Sequence, residues 1–211
     1  MTNKLILLTG IPGIGKSTIT QYLEKKIKPI VRFSFGDLIY EVLQQKGVKC
    51  NRLQIRKTPD KFVTINIIKY ASKILLERAM EARKINNVVI ESHAVVRDFY
   101  GFWVIPEITD FKSARLDAII VIHTSFNTFR KRMNRAIDGR YEISNQTFQK
   151  YQSLLDSVAI NFSLKAGCPL YVVETGDDVD KTCLSLLHIF NNIGMKYNKK
   201  RILEGSLTCK H

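Results

Sequence analysis

The chain has 211 residues, 45% of them hydrophobic and 25% charged, an ordinary globular balance that excludes a fibrous or wholly disordered protein. Lys and Arg total 33 against 19 Asp and Glu, a net charge of +14 that implies anionic partners: phosphates, nucleic acid or a membrane surface. The longest apolar runs, Leu5–Leu8 and Ala118–Ile122, fall far short of the roughly 20 residues that span a bilayer.

Taken in chain order, short apolar, β-branched runs alternate with amphipathic stretches. Strands are predicted at Lys4–Thr9, Ile30–Phe35, Asn87–Ser92, Asp117–Thr124 and Leu170–Glu174. They read as strands buried on both faces. Helices are predicted over Ser17–Ile27 and Asp37–Gln45, and over one long stretch opened by Pro59 and ending near Lys84. Further helices run from Ser125 to about Ala136, from Ser144 to Lys165 before Gly167, and from Asp177 to Gly194. The alternation predicts a three-layer α/β fold around a parallel sheet of about five strands. Residues 195–211 are basic and lack periodicity, so they read as a flexible tail following a domain over 1–194.

The N-terminus enters a strand directly, with no signal-peptide architecture. The cysteines Cys50, Cys168, Cys183 and Cys209 are scattered and form no C-x-x-C pair. Free thiols in a reducing cytoplasm, with no membrane association, are the expectation.

The strongest motif is Gly10-Ile11-Pro12-Gly13-Ile14-Gly15-Lys16-Ser17. It fits G-x-x-x-x-G-K-S/T between a predicted strand and a predicted helix, the setting that defines a P-loop. Glycines let the backbone wrap phosphate oxygens, and the following helix N-terminus adds positive potential. Residues Gly10 to Thr18 are therefore expected to cradle ATP. Lys16 reaches the β- and γ-phosphates, Ser17 is a ligand for Mg²⁺, and Thr18 is assigned to the α-phosphate. A sheet of about five strands with no N-K-x-D segment points to a small kinase rather than a GTPase or transport ATPase.

Further pieces complete a pattern. They are the P-loop as TGIPGIGKST, then FGDLIYEVLQQKG, Ile55-Arg56-Lys57, VVIESHAVV, IHTS, an arginine-rich segment from Arg130 to Arg140, and AGCPLYVVET. With these the chain resembles the nucleoside monophosphate kinases, in particular the archaeal-type adenylate kinases, from about Lys4 to Thr175. The resemblance implies transfer of a phosphoryl group from ATP to a nucleoside monophosphate, AMP foremost. It also implies a mobile acceptor-binding segment over about 36–84, a short helical lid over about 129–143, and a homo-oligomer, since trimers occur in the family. Arg56 matches the arginine that holds the acceptor phosphate. Gly36 and Asp37 lie where the acceptor nucleotide docks, and His93 matches a family histidine beside that site. Glu91 takes the acidic position that holds Mg²⁺ through water. Arg132 and Arg140 match catalytic lid arginines. The chain departs from the family at Asp156 and Asp138, where arginines are usual, and at Glu91, where aspartate is common.

A monophosphate acceptor already carries an anionic oxygen, so alignment and charge neutralisation suffice without a general base. Two other readings stay open. The Glu91-Ser92-His93 triplet and the basic tail also suit adenylate-kinase-like ATPases of ribosome assembly, with RNA as partner. A kinase with a hydroxyl acceptor is the third reading, in which Asp37 or Glu91 serves as base. His123, His188 and His211 stand alone and are assigned no site.

Overall fold

A computed structural model describes residues 3–97, 101–104, 114–135 and 143–196. Five parallel strands form the central sheet: β1 (Leu5–Thr9), β2 (Ile30–Ser34), β3 (Asn87–Ser92), β6 (Ala118–His123) and β7 (Leu170–Glu174). Their order is β2-β3-β1-β6-β7. The central strand β1 is buried along its whole length, which explains its uninterrupted apolar run. Two further strands, β4 (Val95–Arg97) and β5 (Phe102–Val104), pair antiparallel as a separate hairpin that was not expected from the sequence.

Helices cover the sheet: α1 (Lys16–Lys26), α2 (Phe35–Gln45), α3 (Arg52–Lys57), α4 (Pro59–Phe62), α5 (Ile65–Arg83), α6 (Phe126–Arg135), α7 (Asn145–Ala166) and α8 (Val179–Asn192). Hydroxyl or carboxylate caps mark most of their starts. Ser34, Thr64, Ser144 and Asp178 each accept a backbone N–H from the first turn of α2, α5, α7 and α8. Gly167 ends α7 in the left-handed conformation.

Two expectations need correction. The long helix from Pro59 to Lys84 is broken. Val63 leaves helical geometry, and the Thr64 hydroxyl starts a new helix by accepting the Ile67 N–H. Pro59 opens only a single turn. Ahead of it, Asn51 and Gln54 form a reciprocal capping box that starts the short helix α3, also absent from the sequence reading. The second correction concerns the tail. The packed structure continues two residues past Gly194, because Met195 is buried and the Lys196 carbonyl accepts a 2.9 Å bond from Asn87 Nδ2. The remaining tail residues, Cys209 among them, lie outside the described residues.

Cys168 and Cys183 are buried free thiols. Burial, reinforced by Asp180 and Asp178, pushes the Cys183 thiol up to about 12. Burial pushes Cys168 up to about 11, so both remain protonated near neutrality. Among the described residues no helix is long and apolar enough to cross a membrane.

At the base of the sheet, Asp117 accepts bonds from Lys4 Nζ (3.1 Å), the Leu5 N–H (2.8 Å) and Arg83 Nη2 (2.6 Å). Arg83 also caps the carbonyls of Asn3, Ala114 and Arg115. Removing the carboxylate strands a mostly buried guanidinium. Asp117→Ala is expected to cost about 3 kcal/mol of stability, measured by urea unfolding, against less than about 1 kcal/mol for Lys84→Ala, whose ion pair with Glu81 is largely exposed.

Candidate active site

The P-loop joins β1 to α1. Gly13 and Gly15 have φ of 91° and 94°, a region that disfavours side chains. Gly10 is glycine for want of space. A Cβ there would meet Ile14 Cδ1 at 2.4 Å and the Ile122 carbonyl oxygen at 3.0 Å. The Gly10 carbonyl accepts Lys16 Nζ at 2.8 Å, and His93 Nδ1 lies 3.0 Å from it. Lys16 also donates to the Ile11 carbonyl at 2.9 Å, and it is buried. The ammonium group is thus held over the loop by backbone oxygens, the place from which it would serve phosphates.

Parallel pairing sets Leu8 opposite Glu91 and Thr9 opposite Ser92. This register brings Glu91 beside the start of α1. Its carboxylate accepts the Ser17 hydroxyl at 2.5 Å and the Thr20 hydroxyl at 3.0 Å. Arg32, from the middle of β2, donates to the same carboxylate at 3.2 Å. Nothing in the sequence reading picked out Arg32, although a charge inside an otherwise apolar strand was the available signal. The Arg32 Nε and the Ser92 Oγ are buried without a hydrogen-bond partner. Both residues line the cleft described next. Orphaned polar atoms at a cleft floor mark a place where a polar ligand belongs.

For Mg²⁺ the donors fit. Ser17 and Glu91 present hard oxygens side by side, and this ion normally completes its shell with water and phosphate. Among the described residues no three His, Cys, Asp or Glu side chains gather as a metal cluster.

One cleft of about 840 Å³ connects the P-loop with the acceptor side. It is lined by Lys16, Ser17, Thr18, Glu91 and His93, and also by Gly36, Asp37 and Arg56. The predicted acceptor residues therefore converge with the phosphate loop. Asp37 does not cap α2, a role Ser34 takes; it forms an ion pair with Arg52. Arg52, whose guanidinium lies 4.7 Å from the Tyr40 ring centroid, stands one helical turn before Arg56. Arg52, Arg97 and Trp103 also line the cleft and were not singled out from the sequence.

Arg132, on α6, clasps the P-loop from outside. It donates to the Ile14 carbonyl at 2.5 Å, to the Gly176 carbonyl, and to Thr175 Oγ1 at 3.3 Å. Burial lowers its pKa, an effect partly countered by Asp177. Arg140 and Asp138 lie outside the described residues. Asp156, at the position of a family arginine, pairs with His123 Nε2 at 2.7 Å, so His123 is not alone as expected. Neither residue lines the cleft.

A parallel sheet in the order β2-β3-β1-β6-β7 with a P-loop after its central strand defines a P-loop kinase fold. Residues 9–149 match the family model described as AAA domain, and the chain belongs to that family. It is 26% identical over 176 residues to the adenylate kinase of Pyrococcus furiosus, covering 82% of this chain and 87% of the relative. Its fold matches the thymidylate kinase of Candida albicans with a TM-score of 0.57 at 16% identity, over 90% and 92% of the two chains. It also matches the shikimate kinase of Bacteroides thetaiotaomicron with a TM-score of 0.54 at 14% identity, over 89% and 98%.

The crowding at Gly10 is testable. Gly10→Ala forces Ile14 or the loop to move and is expected to weaken binding of a fluorescent ATP analogue by about ten-fold or more. Gly176→Ala, where an added Cβ meets nothing within 4 Å, is expected to leave it unchanged.

Proposed function

We propose that this protein transfers the terminal phosphoryl group of ATP to a nucleoside monophosphate, with AMP the foremost acceptor and two ADP as products. The observation that supports the reading is that two sets of groups line one cleft. Lys16, Ser17 and Glu91 from the P-loop and the end of β3, and Arg52 and Arg56 from α3, all line it. Such a cleft holds phosphates from both ends and neutralises the charge that spreads over the transferred group. Similarity to archaeal adenylate kinases over most of the chain points the same way.

The state of the carboxylates favours a monophosphate over a hydroxyl acceptor. A hydroxyl needs a base, but Asp37 is paired with Arg52 and Glu91 accepts from Arg32, Ser17 and Thr20. Carboxylates engaged in this way already have their oxygens occupied by donors of the protein rather than turned to an acceptor hydroxyl. A phosphate acceptor needs neither. Mg²⁺, held by Ser17 and through water by Glu91, would neutralise phosphate charge. Lys16 would orient the transferred group, Arg56 would hold the acceptor phosphate, and Arg132 would keep the P-loop in shape. His93, bonded to the Gly10 carbonyl, would set the loop entry rather than touch a proton in flight.

The test is a coupled assay with purified protein, ATP and a panel of monophosphates. Turnover with at least one, well above ATP hydrolysis alone, is expected. Arg56→Ala is expected to raise the acceptor KM by about 10- to 100-fold while the KM for ATP stays within about two-fold. ATP hydrolysis with no transfer to any monophosphate overturns the reading.

A further inference from the structure

The hairpin of β4 and β5 lies outside both the phosphate loop and the acceptor segment expected from the sequence. It contributes Val96, Arg97, Trp103 and Val104 to the wall of the cleft. Trp103 is the only tryptophan in the chain, and 55% of its surface is exposed. A ring of this size at the wall of a cleft offers a broad apolar face to a ligand.

The hairpin is held firmly from behind. Val96 pairs with Trp103 and Arg97 with Phe102. The Phe102 ring packs on Tyr151 of α7 with centroids 4.9 Å apart. The Tyr151 hydroxyl donates to the Val95 carbonyl at 3.0 Å. The indole is therefore presented by a braced support rather than by a loose loop. From the acceptor arm, Val63 and the half-exposed Ile65 line the same cleft. Apart from Arg97 this part of the wall is apolar and aromatic, whereas Lys16, Arg52 and Arg56 give the phosphate-binding parts their cations. A ligand matching both ends has an anionic phosphate and a flat apolar ring.

We propose that the β4–β5 hairpin is the platform for the acceptor's aromatic base, with Trp103 as its stacking, specificity-determining residue. The proposal deepens the monophosphate-kinase reading and rests on it for the word acceptor. It assigns the substrate class as phosphates bearing an aromatic base, and it excludes small acceptors without one. Base-on-aromatic stacking is a sequence-tolerant contact, because every base has a π-face.

Because Trp103 is unique, its fluorescence reports this position in the full-length protein. Titration with AMP is expected to quench it saturably. Ribose 5-phosphate, which has the sugar and phosphate but no base, is expected to leave it unchanged. In the coupled assay, Trp103→Ala is expected to raise the acceptor KM about ten-fold, with kcat and the KM for ATP within about two-fold of the original. Trp103→Phe should recover part of that loss. The exposed position makes misfolding of either variant avoidable, and a thermal melt matching the original protein confirms it.

Four results overturn the proposal. They are no AMP quench at saturation, an equal quench by ribose 5-phosphate, an unchanged acceptor KM in Trp103→Ala, or a rise confined to the KM for ATP. If no monophosphate is phosphorylated while AMP still quenches Trp103 and ribose 5-phosphate does not, the kinase reading fails and the base platform stands.

Discussion

The turn at Gly10 is the constraint on which the rest of the site depends. The chain leaves the most buried strand of the sheet there, with Ile14 on one side and the Ile122 carbonyl on the other. Its own carbonyl receives Lys16 and faces His93. One peptide thus ties β1, the segment after β3, the end of β6 and the start of α1 together. Lys16 and His93, which follows Glu91 by two residues, keep their relative places because both meet that carbonyl. Preorganisation of this kind is what phosphoryl transfer asks of a protein, since the chemistry needs position and charge more than it needs a reactive side chain.

The second organising element is the ionic ring around Glu91. A glutamate is one methylene longer than an aspartate, so its carboxylate reaches the hydroxyls of Ser17 and Thr20 directly. Arg32 balances it from the neighbouring strand. The acceptor arm has its own ties. Arg78 forks onto Glu41 at 2.6 and 2.8 Å, joining α5 to α2. Arg52 pairs with Asp37, joining α3 to α2. Both pairs are about half exposed, so they weigh little in stability.

The inner strands of the main sheet were legible in the sequence because burial on both faces leaves a plain apolar run, as in Leu5–Leu8 and Ala118–Ile122; the edge strands β2 and β7, expected to be buried in the same way, are instead largely half-buried or exposed because each has a neighbour on one side only. The P-loop was legible because its glycines, lysine and serine answer a fixed geometric demand. The hairpin was not, since Val95–Arg97 and Phe102–Val104 are three residues each and show no periodicity to read. The helix break at Val63 was hidden for a different reason. Apolar spacing continues through it, and only the Thr64 cap marks the restart. Arg32 and the pairing of Asp156 with His123 are contacts across strands and helices, which local patterns do not encode. Arg56 and Asp37 were found through resemblance, and the structure adds Arg52 between them.

The last described residues settle an orientation. Lys196 is bonded to Asn87, the first residue of β3, while Glu91 and Ser92 at the other end of that strand face the cleft. At about 3.3 Å per residue, the exit point stands roughly 17 Å along the strand from the phosphate site. An affinity handle or a surface attachment placed after Lys196 therefore begins on the far side of the sheet. Attachment at Lys196 itself leaves the cleft at the opposite end of β3, a favourable geometry for measuring nucleotide binding on a sensor surface.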